Sequence, residues 1–310
     1  MAGDEGVLDP WVAEWFAANP MLAEPRDDWS REMLALARGD FPIAEGPPVA
    51  KVSDDVIAGV SVRVYEHEHA PTGVVVYFHG GGFCTGSIGM MDNVARELAQ
   101  CADATVVSVD YRLAPEHPYP SGLDDCETVT RAVLDDRARF GAPGLPVVVA
   151  GESAGGSLST AVALRLRDRG DTRLAAQVLI YPGVAGDDST HPSRQEFDGI
   201  LLTATGMHWF WDSYTGGRDV SDDPYAVPLR AENLRGLPPA LVVLGGCDVL
   251  RDEGREYARR LAAEGVDVEA ICYPGQPHGF VNFGFPAATE AFEHIGTWLR
   301  ANLARAGDVG

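Results

Sequence analysis

A serine between two glycines ends a run of β-branched residues, in the stretch Val147-Val148-Val149-Ala150-Gly151-Glu152-Ser153-Ala154-Gly155-Gly156. The apolar run predicts a buried strand, and the apolar spacing after Ser153 predicts a helix over Ala154–Asp168. A direct turn from strand to helix strains the backbone at the serine, and flanking glycines without a Cβ leave room for it. The hydroxyl would then be exposed at a helix N-terminus, where negative charge is favoured. This suits a nucleophile, although such motifs also occur as small-residue turns without chemistry.

A serine nucleophile needs a base, and His278 is the candidate. In chains with this kind of serine turn, the order along the sequence is serine, acid, histidine. Of eight histidines, His278 is the one in a loop beyond the last predicted strand and far downstream of Ser153. Its surroundings, Tyr273-Pro274-Gly275-Gln276-Pro277-His278-Gly279-Phe280, are rigid enough to hold a base. An ordinary loop histidine is the alternative, and it would predict no matching acid upstream.

The predicted acid is Asp248, just beyond the predicted strand that ends at Leu244. Open parallel sheets place their ligand sites at the carboxyl ends of the strands. Asp252 and Glu253 are rivals, but they stand where a helix begins, a position that favours acidic residues for a different reason. We therefore expect Asp248 to orient His278 and to stabilise its charged form without taking the proton.

Three consecutive glycines are predicted to supply the oxyanion donors. They lie in Phe78-His79-Gly80-Gly81-Gly82-Phe83, directly after a predicted strand over Val74–Phe78. Glycine lets backbone amides approach a substrate oxygen closely, whereas a bare glycine run would indicate only a flexible turn. The predicted donors are the amides of Gly81, Gly82 and Ala154, and losing one such donor typically costs about 3 kcal/mol of transition-state stabilisation.

Alternating strand and helix patterns surround these motifs, which predicts a mostly parallel sheet with helices on both faces. An antiparallel hairpin within Val49–Glu66 is predicted at its edge. The predicted strands are Val74–Phe78, Thr105–Asp110, Val147–Ala150, Ala176–Tyr181, Pro239–Leu244 and Val268–Tyr273. The predicted helices are Met90–Cys101, Leu123–Phe140, Ala154–Asp168, Asp252–Glu264 and Ala287–Ala304.

Two segments have no strand pattern of their own, residues 1–45 and Pro182–Leu237. The first has aromatic residues at near-helical spacing, Trp11, Trp15 and Phe16, and predicts two short helices. The second predicts a helix over Thr203–Tyr214 that is too aromatic to be exposed on all sides. By themselves these aromatic residues indicate either packing against the body of the protein or a lid over a pocket.

Composition narrows the possible partners. The chain has 310 residues, ordinary globular composition and a net charge of −22, which disfavours binding to nucleic acid and to anionic membranes. No apolar stretch is long enough for membrane insertion, and the acidic start of the chain lacks the features of a secretory signal, so the expected location is cytoplasmic. The five cysteines show no paired metal-ligand spacing and are expected to be reduced thiols, and no cofactor or metal is predicted.

These motifs together resemble the bacterial hormone-sensitive-lipase-like carboxylesterases of the α/β-hydrolase superfamily, and the resemblance covers nearly the whole chain. The motifs that carry it are His79-Gly80-Gly81-Gly82, Tyr111-Arg112-Leu113-Ala114-Pro115-Glu116, Gly151-Glu152-Ser153-Ala154-Gly155-Gly156, Asp248 with Leu250-Arg251-Asp252-Glu253-Gly254, and His278-Gly279-Phe280. The resemblance implies the α/β-hydrolase fold, with a helical cap made of residues 1–45 and 183–237. The catalytic domain would comprise residues 46–182 and 238–310.

The cap implied by the resemblance favours the lid interpretation of the aromatic segments. The residues expected to bind substrate are Phe83, Cys84, Glu152, Phe197, Leu202, Met207, Phe210, Trp11 and Phe280. For Cys84 the alternative is a small buried hydrophobic residue. Two positions depart from the family pattern: Glu152 stands where aspartate is common, and Val249 where a proline usually follows the catalytic aspartate. Neither departure removes a catalytic group.

The predicted activity is hydrolysis of short- to medium-chain carboxylic esters through an acyl-enzyme, with a small-molecule ester as substrate. An amidase or lyase could use the same three residues. A non-catalytic ligand receptor on this fold is a further alternative, but receptors that resemble this family lack the catalytic histidine, whereas His278 is present. Among similar proteins dimers are common, so a homodimer is possible.

Overall fold

Residues 6–20, 31–39 and 43–307 are described in a computed structural model of the chain. Their strands are β1 (Lys51–Ile57), β2 (Val60–Glu66), β3 (Val74–Phe78), β4 (Thr105–Val109), β5 (Val147–Glu152), β6 (Leu174–Ile180), β7 (Ala240–Cys247) and β8 (Val268–Pro277). They form one sheet in the order β1-β2-β4-β3-β5-β6-β7-β8. Strands β1 and β2 form the predicted antiparallel hairpin, β2 also pairs antiparallel with β4, and the remaining pairs are parallel. The predicted mostly parallel sheet is confirmed.

Helices cover both faces of this sheet, because its central valine-rich strands are buried on both sides. The main helices are α1 (Pro10–Ala18), α2 (Arg31–Leu36), α3 (Asp92–Ala102), α4 (Ser121–Asp135), α5 (Ala154–Asp168), α6 (Ser193–Glu196), α7 (Ala204–Thr215), α8 (Arg251–Ala263) and α9 (Pro286–Gly307). Helices α3 and α9 bury their apolar sides against one face. Helices α4, α5 and α8 bury theirs against the other.

Several elements differ in length from their predicted bounds. The predicted helix over 123–140 is divided at Asp136, whose φ of −130° leaves the helical region, and a short 3₁₀ turn follows at Arg137–Phe140. Strands β7 and β8 continue beyond the apolar residues that predict them, because Gly245 still pairs with Tyr273 and Cys247 with Pro277. Backbone pairing with the neighbouring strand determines where these strands end, and the spacing of apolar residues within one strand carries no information about that pairing.

The segment 183–237 adds no strand to the sheet. It contains α6, α7 and a 3₁₀ turn at Pro228–Arg230. The Thr203 side chain caps α7 by accepting a hydrogen bond from the amide of Gly206, and Gly216 ends the helix in a left-handed conformation. In the N-terminal segment, Trp15 of α1 contacts Phe283 and Phe285, which directly precede α9. Parts of the predicted N-terminal cap, residues 1–5, 21–30 and 40–42, lie outside the described residues, as do residues 308–310.

None of the described helices combines the length and apolar character that crossing a membrane requires.

Candidate active site

Ser153 sits at the sharp turn between β5 and α5. Its backbone has φ 56° and ψ −121°, an unusual region for a residue with a side chain. At this turn the backbones of β3, β5 and the start of α5 approach one another so closely that no side chain fits between them. A Cβ at Gly151 would collide with the carbonyl of Gly155, and a Cβ at Gly155 would collide with the carbonyl of Phe78. The glycines on either side of the serine are therefore required by close backbone contact.

The structure brings Ser153, His278 and Asp248 into one chain of hydrogen bonds. The Ser153 Oγ lies 2.8 Å from Nε2 of His278, and the His278 Nδ1 lies 2.9 Å from Oδ2 of Asp248. Burial by itself would lower the pKa of His278, but the Asp248 carboxylate, with smaller contributions from Glu152 and Glu253, raises the pKa above its usual value. The imidazole is therefore held between a hydroxyl and a buried carboxylate.

Asp248 is oriented by its own loop, while the two rival acids have other partners. The amide of Leu250 donates to Oδ1 of Asp248 at 2.8 Å, which leaves Oδ2 for His278. Asp252 accepts from the amide of Ser193 and pairs with the adjacent arginine. Glu253 is fully buried, where it accepts two amides of the loop after β6 and pairs with Arg194. The hydrogen bonds of both rivals hold α6 and the loop after β6 against α8.

The glycine loop after β3 lies beside Ser153. Gly81, Gly82 and Ala154, the predicted donors, line the same cavity as the serine. Gly81 has φ +115° and Gly82 has φ +58°, conformations that glycine adopts without strain. The Gly81 carbonyl accepts hydrogen bonds from the amide and the hydroxyl of Thr85, both at 2.8 Å. The loop is therefore closed by its own bonds, with its glycines beside the serine.

Glu152 lies beneath this loop and is almost fully buried. Its carboxylate accepts hydrogen bonds from the Gly80 amide and, at 3.3 Å, from the hydroxyl of Tyr77. Burial raises the pKa of Glu152 to about 7, although the Gly80 amide and the nearby His278 oppose that shift. The longer side chain at this position thus reaches the backbone of the glycine loop.

A cavity of about 320 Å³ opens above Ser153. Five of the predicted substrate-binding residues line it, Phe83, Glu152, Leu202, Met207 and Phe210. Phe83 stacks on Tyr214 of α7, with ring centroids 3.7 Å apart. The lining thus includes residues of both the glycine loop and the segment 183–237.

Four predicted substrate-binding residues are not among the cavity's lining residues, and each has an apolar neighbourhood elsewhere. Trp11 is 43% exposed and packs edge-on against Phe285. Cys84 is fully buried in a cluster with Leu34 and Ala114, as expected for the alternative that it is a small buried hydrophobic residue. The remaining two are also buried: Phe197 packs on Leu250 beneath the guanidinium of Arg251, and Phe280 packs between Tyr181 and Tyr273.

Other lining residues were missed from the sequence. Trp211 lines the cavity and belongs to the aromatic run of α7, so the over-aromatic helix was a usable signal. Ser157 lies one helical turn after Ser153, a spacing that also could have identified it. Asp187 and Arg194 also line the cavity, and the sequence carried no recognisable signal for either of them. Glu253, a rival acid in the sequence, lines the cavity as the partner of Arg194.

The chain is similar to known esterases over most of its length. Residues 75–282 match the family described as alpha/beta hydrolase fold. Esterase LipI of Mycobacterium tuberculosis is 40% identical over 303 residues, which cover 94% of this chain and 93% of that protein. Carboxylesterase NlhH of the same organism is 41% identical over 249 residues, 77% of each chain. The solved structure of a hyperthermophilic esterase from Pyrobaculum calidifontis has a TM-score of 0.86 and 36% identity, covering 95% of this chain and 98% of its own.

Proposed function

This chain belongs to the alpha/beta hydrolase family and is a serine ester hydrolase, and from that premise we propose the roles of its residues. Ser153 is the nucleophile, His278 the general base and then the general acid, and Asp248 the group that orients His278. The amides of Gly81, Gly82 and Ala154 are the oxyanion donors. The observation that carries this assignment is the continuous hydrogen-bond chain from the Ser153 hydroxyl through His278 to Asp248.

The reaction follows from these positions. Nε2 of His278 takes the Ser153 proton while Oγ bonds to the ester carbonyl carbon, and the carbonyl electrons move onto oxygen. When this tetrahedral intermediate collapses, the bond to the alcohol oxygen breaks and that oxygen receives the proton from Nε2. Water then repeats the sequence on the acyl-enzyme: His278 takes a proton from water, the carboxylic acid leaves, and Ser153 regains its proton.

The substrates we propose are esters with short to medium acyl chains. Most of the surface that lines the cavity is apolar, which suits uncharged alkyl or aryl groups. Its volume of about 320 Å³ is small for a long acyl chain together with a large alcohol. We further propose that segments 1–45 and 183–237 act as the cap. Helix α7 supplies Met207, Phe210 and Trp211 to the cavity wall, and in the N-terminal segment Trp15 packs against Phe283, another lining residue.

The assignment of the nucleophile is tested with Ser153→Ala. We expect loss of p-nitrophenyl butyrate turnover with an unchanged circular dichroism spectrum, while Ser221→Ala, a change in a surface turn, leaves turnover intact. A fluorophosphonate probe should label the wild-type protein and not the Ser153→Ala variant. Full activity in that variant would refute the assignment, and faster turnover of a matched amide than of the ester would favour an amidase.

The cytoplasmic location and the homodimer stay predictions. Cell fractionation tests the first and light scattering of the purified protein tests the second.

A further inference from the structure

The peptide that joins His79 to Gly80 is held at both of its ends. Its N–H, on Gly80, donates to the Glu152 carboxylate. Its C=O, on His79, accepts a hydrogen bond of 2.8 Å from the hydroxyl of Tyr111. Because a peptide unit is planar, two bonds on opposite edges fix its orientation. Both partners are buried, so water does not compete for these bonds.

The next two peptides, Gly80–Gly81 and Gly81–Gly82, are also held by hydrogen bonds within the loop. The carbonyl of Gly80 accepts from Nδ1 of His79 at 2.7 Å, and burial lowers the pKa of His79 to about 4, so the ring is neutral. The carbonyl of Gly81 accepts from the amide and hydroxyl of Thr85. In a trans peptide the N–H points opposite to the C=O. Both carbonyls are bonded within the loop. The N–H groups of Gly81 and Gly82, on the opposite edges of the same planar peptides, therefore point away from those bonded carbonyls.

Glu152 is the link between this loop and the nucleophile. It directly precedes Ser153 at the end of β5, so its backbone is fixed with the turn that presents the serine. Its side chain reaches across to Gly80, where the space is so filled that a Cβ on that glycine would collide with the carboxylate. The Gly80 amide is thereby engaged and is not an oxyanion donor itself.

We propose that Glu152 is a positioning residue, whose carboxylate holds the Gly80 amide and so aligns the donor amides of Gly81 and Gly82 with Ser153. The proposal rests on the proposed function, in which those amides stabilise the oxyanion. Glu152 does not contact the reacting atoms in this mechanism. It determines where the donors lie relative to the serine, and Tyr111 supports the same peptide from its other end.

The experiment compares an ester with its thionoester, in which sulfur replaces the carbonyl oxygen. Sulfur accepts hydrogen bonds poorly, so the ratio of kcat/KM for ester over thionoester reports on the donors. Glu152→Leu removes the acceptor, and we expect kcat for the ester to fall about 100-fold, with little change in KM and a lower ratio. Glu152→Gln keeps a carbonyl oxygen at nearly the same place, so its ester to thionoester ratio of kcat/KM should stay close to that of the wild type.

A purely structural role for Glu152 would give other results. A Glu152→Leu variant that loses activity with an unchanged ester to thionoester ratio would overturn the proposal, and so would a Glu152→Gln variant as defective as Glu152→Leu. Labelling of each variant by a fluorophosphonate, with the Ser153→Ala protein as the negative control, keeps failure of this proposal distinct from failure of the assigned nucleophile.

A second measurement covers the case in which Glu152→Leu does not fold. Glu152→Gln weakens the bond at one end of the peptide, because a neutral amide oxygen is a weaker acceptor than a carboxylate, and Tyr111→Phe removes the bond at the other end. Either remaining bond can still hold the peptide in a single variant, so we expect the double variant to lower the ester to thionoester ratio by more than the product of the two single effects. Effects that simply multiply would contradict the proposal.

Discussion

The ring of Phe210 occupies the space that a side chain at Gly82 would need. A Cβ built on that glycine would be 2.6 Å from the Cγ and Cδ1 atoms of the ring, closer than such atoms approach one another. Phe210 belongs to α7 in the segment 183–237, and Gly82 belongs to the glycine loop after β3. The proposed cap and the proposed oxyanion loop are therefore in contact, and a change in one is expected to reach the other.

We first predict that Gly82→Ala lowers kcat/KM about 100-fold, because the new methyl group displaces either the ring or the donor amide. Gly82 also has φ +58°, which costs alanine about 1 kcal/mol. Adding Phe210→Ala should restore part of the loss by opening space for the methyl group. Steady-state kinetics on the two single variants and the double variant measure this. A double variant no better than Gly82→Ala would mean that the ring contact is not the cause.

The second prediction concerns the acid limb of the pH profile. Asp248 raises the pKa of His278, and the imidazole acts as a base only when it is neutral. Asp248→Asn should therefore move the acid limb of kcat/KM to lower pH, and it should also lower kcat by about 10³- to 10⁴-fold because the ring is no longer correctly held. Profiles are recorded in a Glu152→Gln background, so that the titration of Glu152 does not contribute.

Asp252→Asn is the matched control for that profile. Asp252 is bound to Ser193 and Arg251, so its variant should leave the acid limb where it is in the parent protein. An acid limb that shifts in Asp252→Asn and stays in place in Asp248→Asn would reverse our assignment of the acid.

The third prediction links Glu152 to stability. Its pKa in the folded protein is about 7, against an ordinary value of 4.5, so between these pH values the folded state binds more protons than the unfolded state. The contribution of Glu152 to the free energy of unfolding is therefore largest at low pH and falls as the pH rises through this window. The free energy of unfolding of Glu152→Gln should therefore rise relative to that of the wild type, by up to about 1.4 kcal/mol per pH unit between these values. Urea unfolding at pH 5, 6 and 7 tests this, and parallel stability curves for the two proteins would contradict it.

The fourth prediction concerns chain length. Gly183 lines the cavity, and a Cβ there would lie 3.5 Å from both the Leu250 Cδ1 and the Ser157 Oγ, an ordinary contact. Gly183→Val should therefore fold and fill part of the cavity. We expect kcat/KM for p-nitrophenyl octanoate to fall at least 10-fold more than for the acetate. Gly307→Ala, in open space near the end of α9, is the control. Equal losses for both esters would show that Gly183 does not limit chain length.

The three residues of the hydrogen-bond chain, Ser153, His278 and Asp248, could be found in the sequence because each is marked by its local context. Ser153 follows a valine-rich strand and lies between glycines that close contact requires, and Asp248 and His278 follow successive strands. In a parallel sheet, strand ends meet at one edge, so strand order brings these residues together. Apolar spacing and chain order were therefore sufficient to predict the order of the strands along the chain, the main helices that flank the sheet and the meeting of these three residues, but not the exact ends of the elements.

The cavity wall depended on packing between segments distant in the chain. Trp11 and Trp211 both belong to aromatic helices, yet only Trp211 lines the cavity, while Trp11 packs on Phe285. Residue type and spacing show that such side chains need a partner, but not which surface they meet. The contact that Glu152 makes was equally hidden: Glu152 is next to Ser153 in the sequence, but only the tertiary structure brings its carboxylate to the Gly80 amide, 72 residues away along the chain. Local patterns record each element's own periodicity, whereas contacts between a cap and a loop are decided when the whole chain packs.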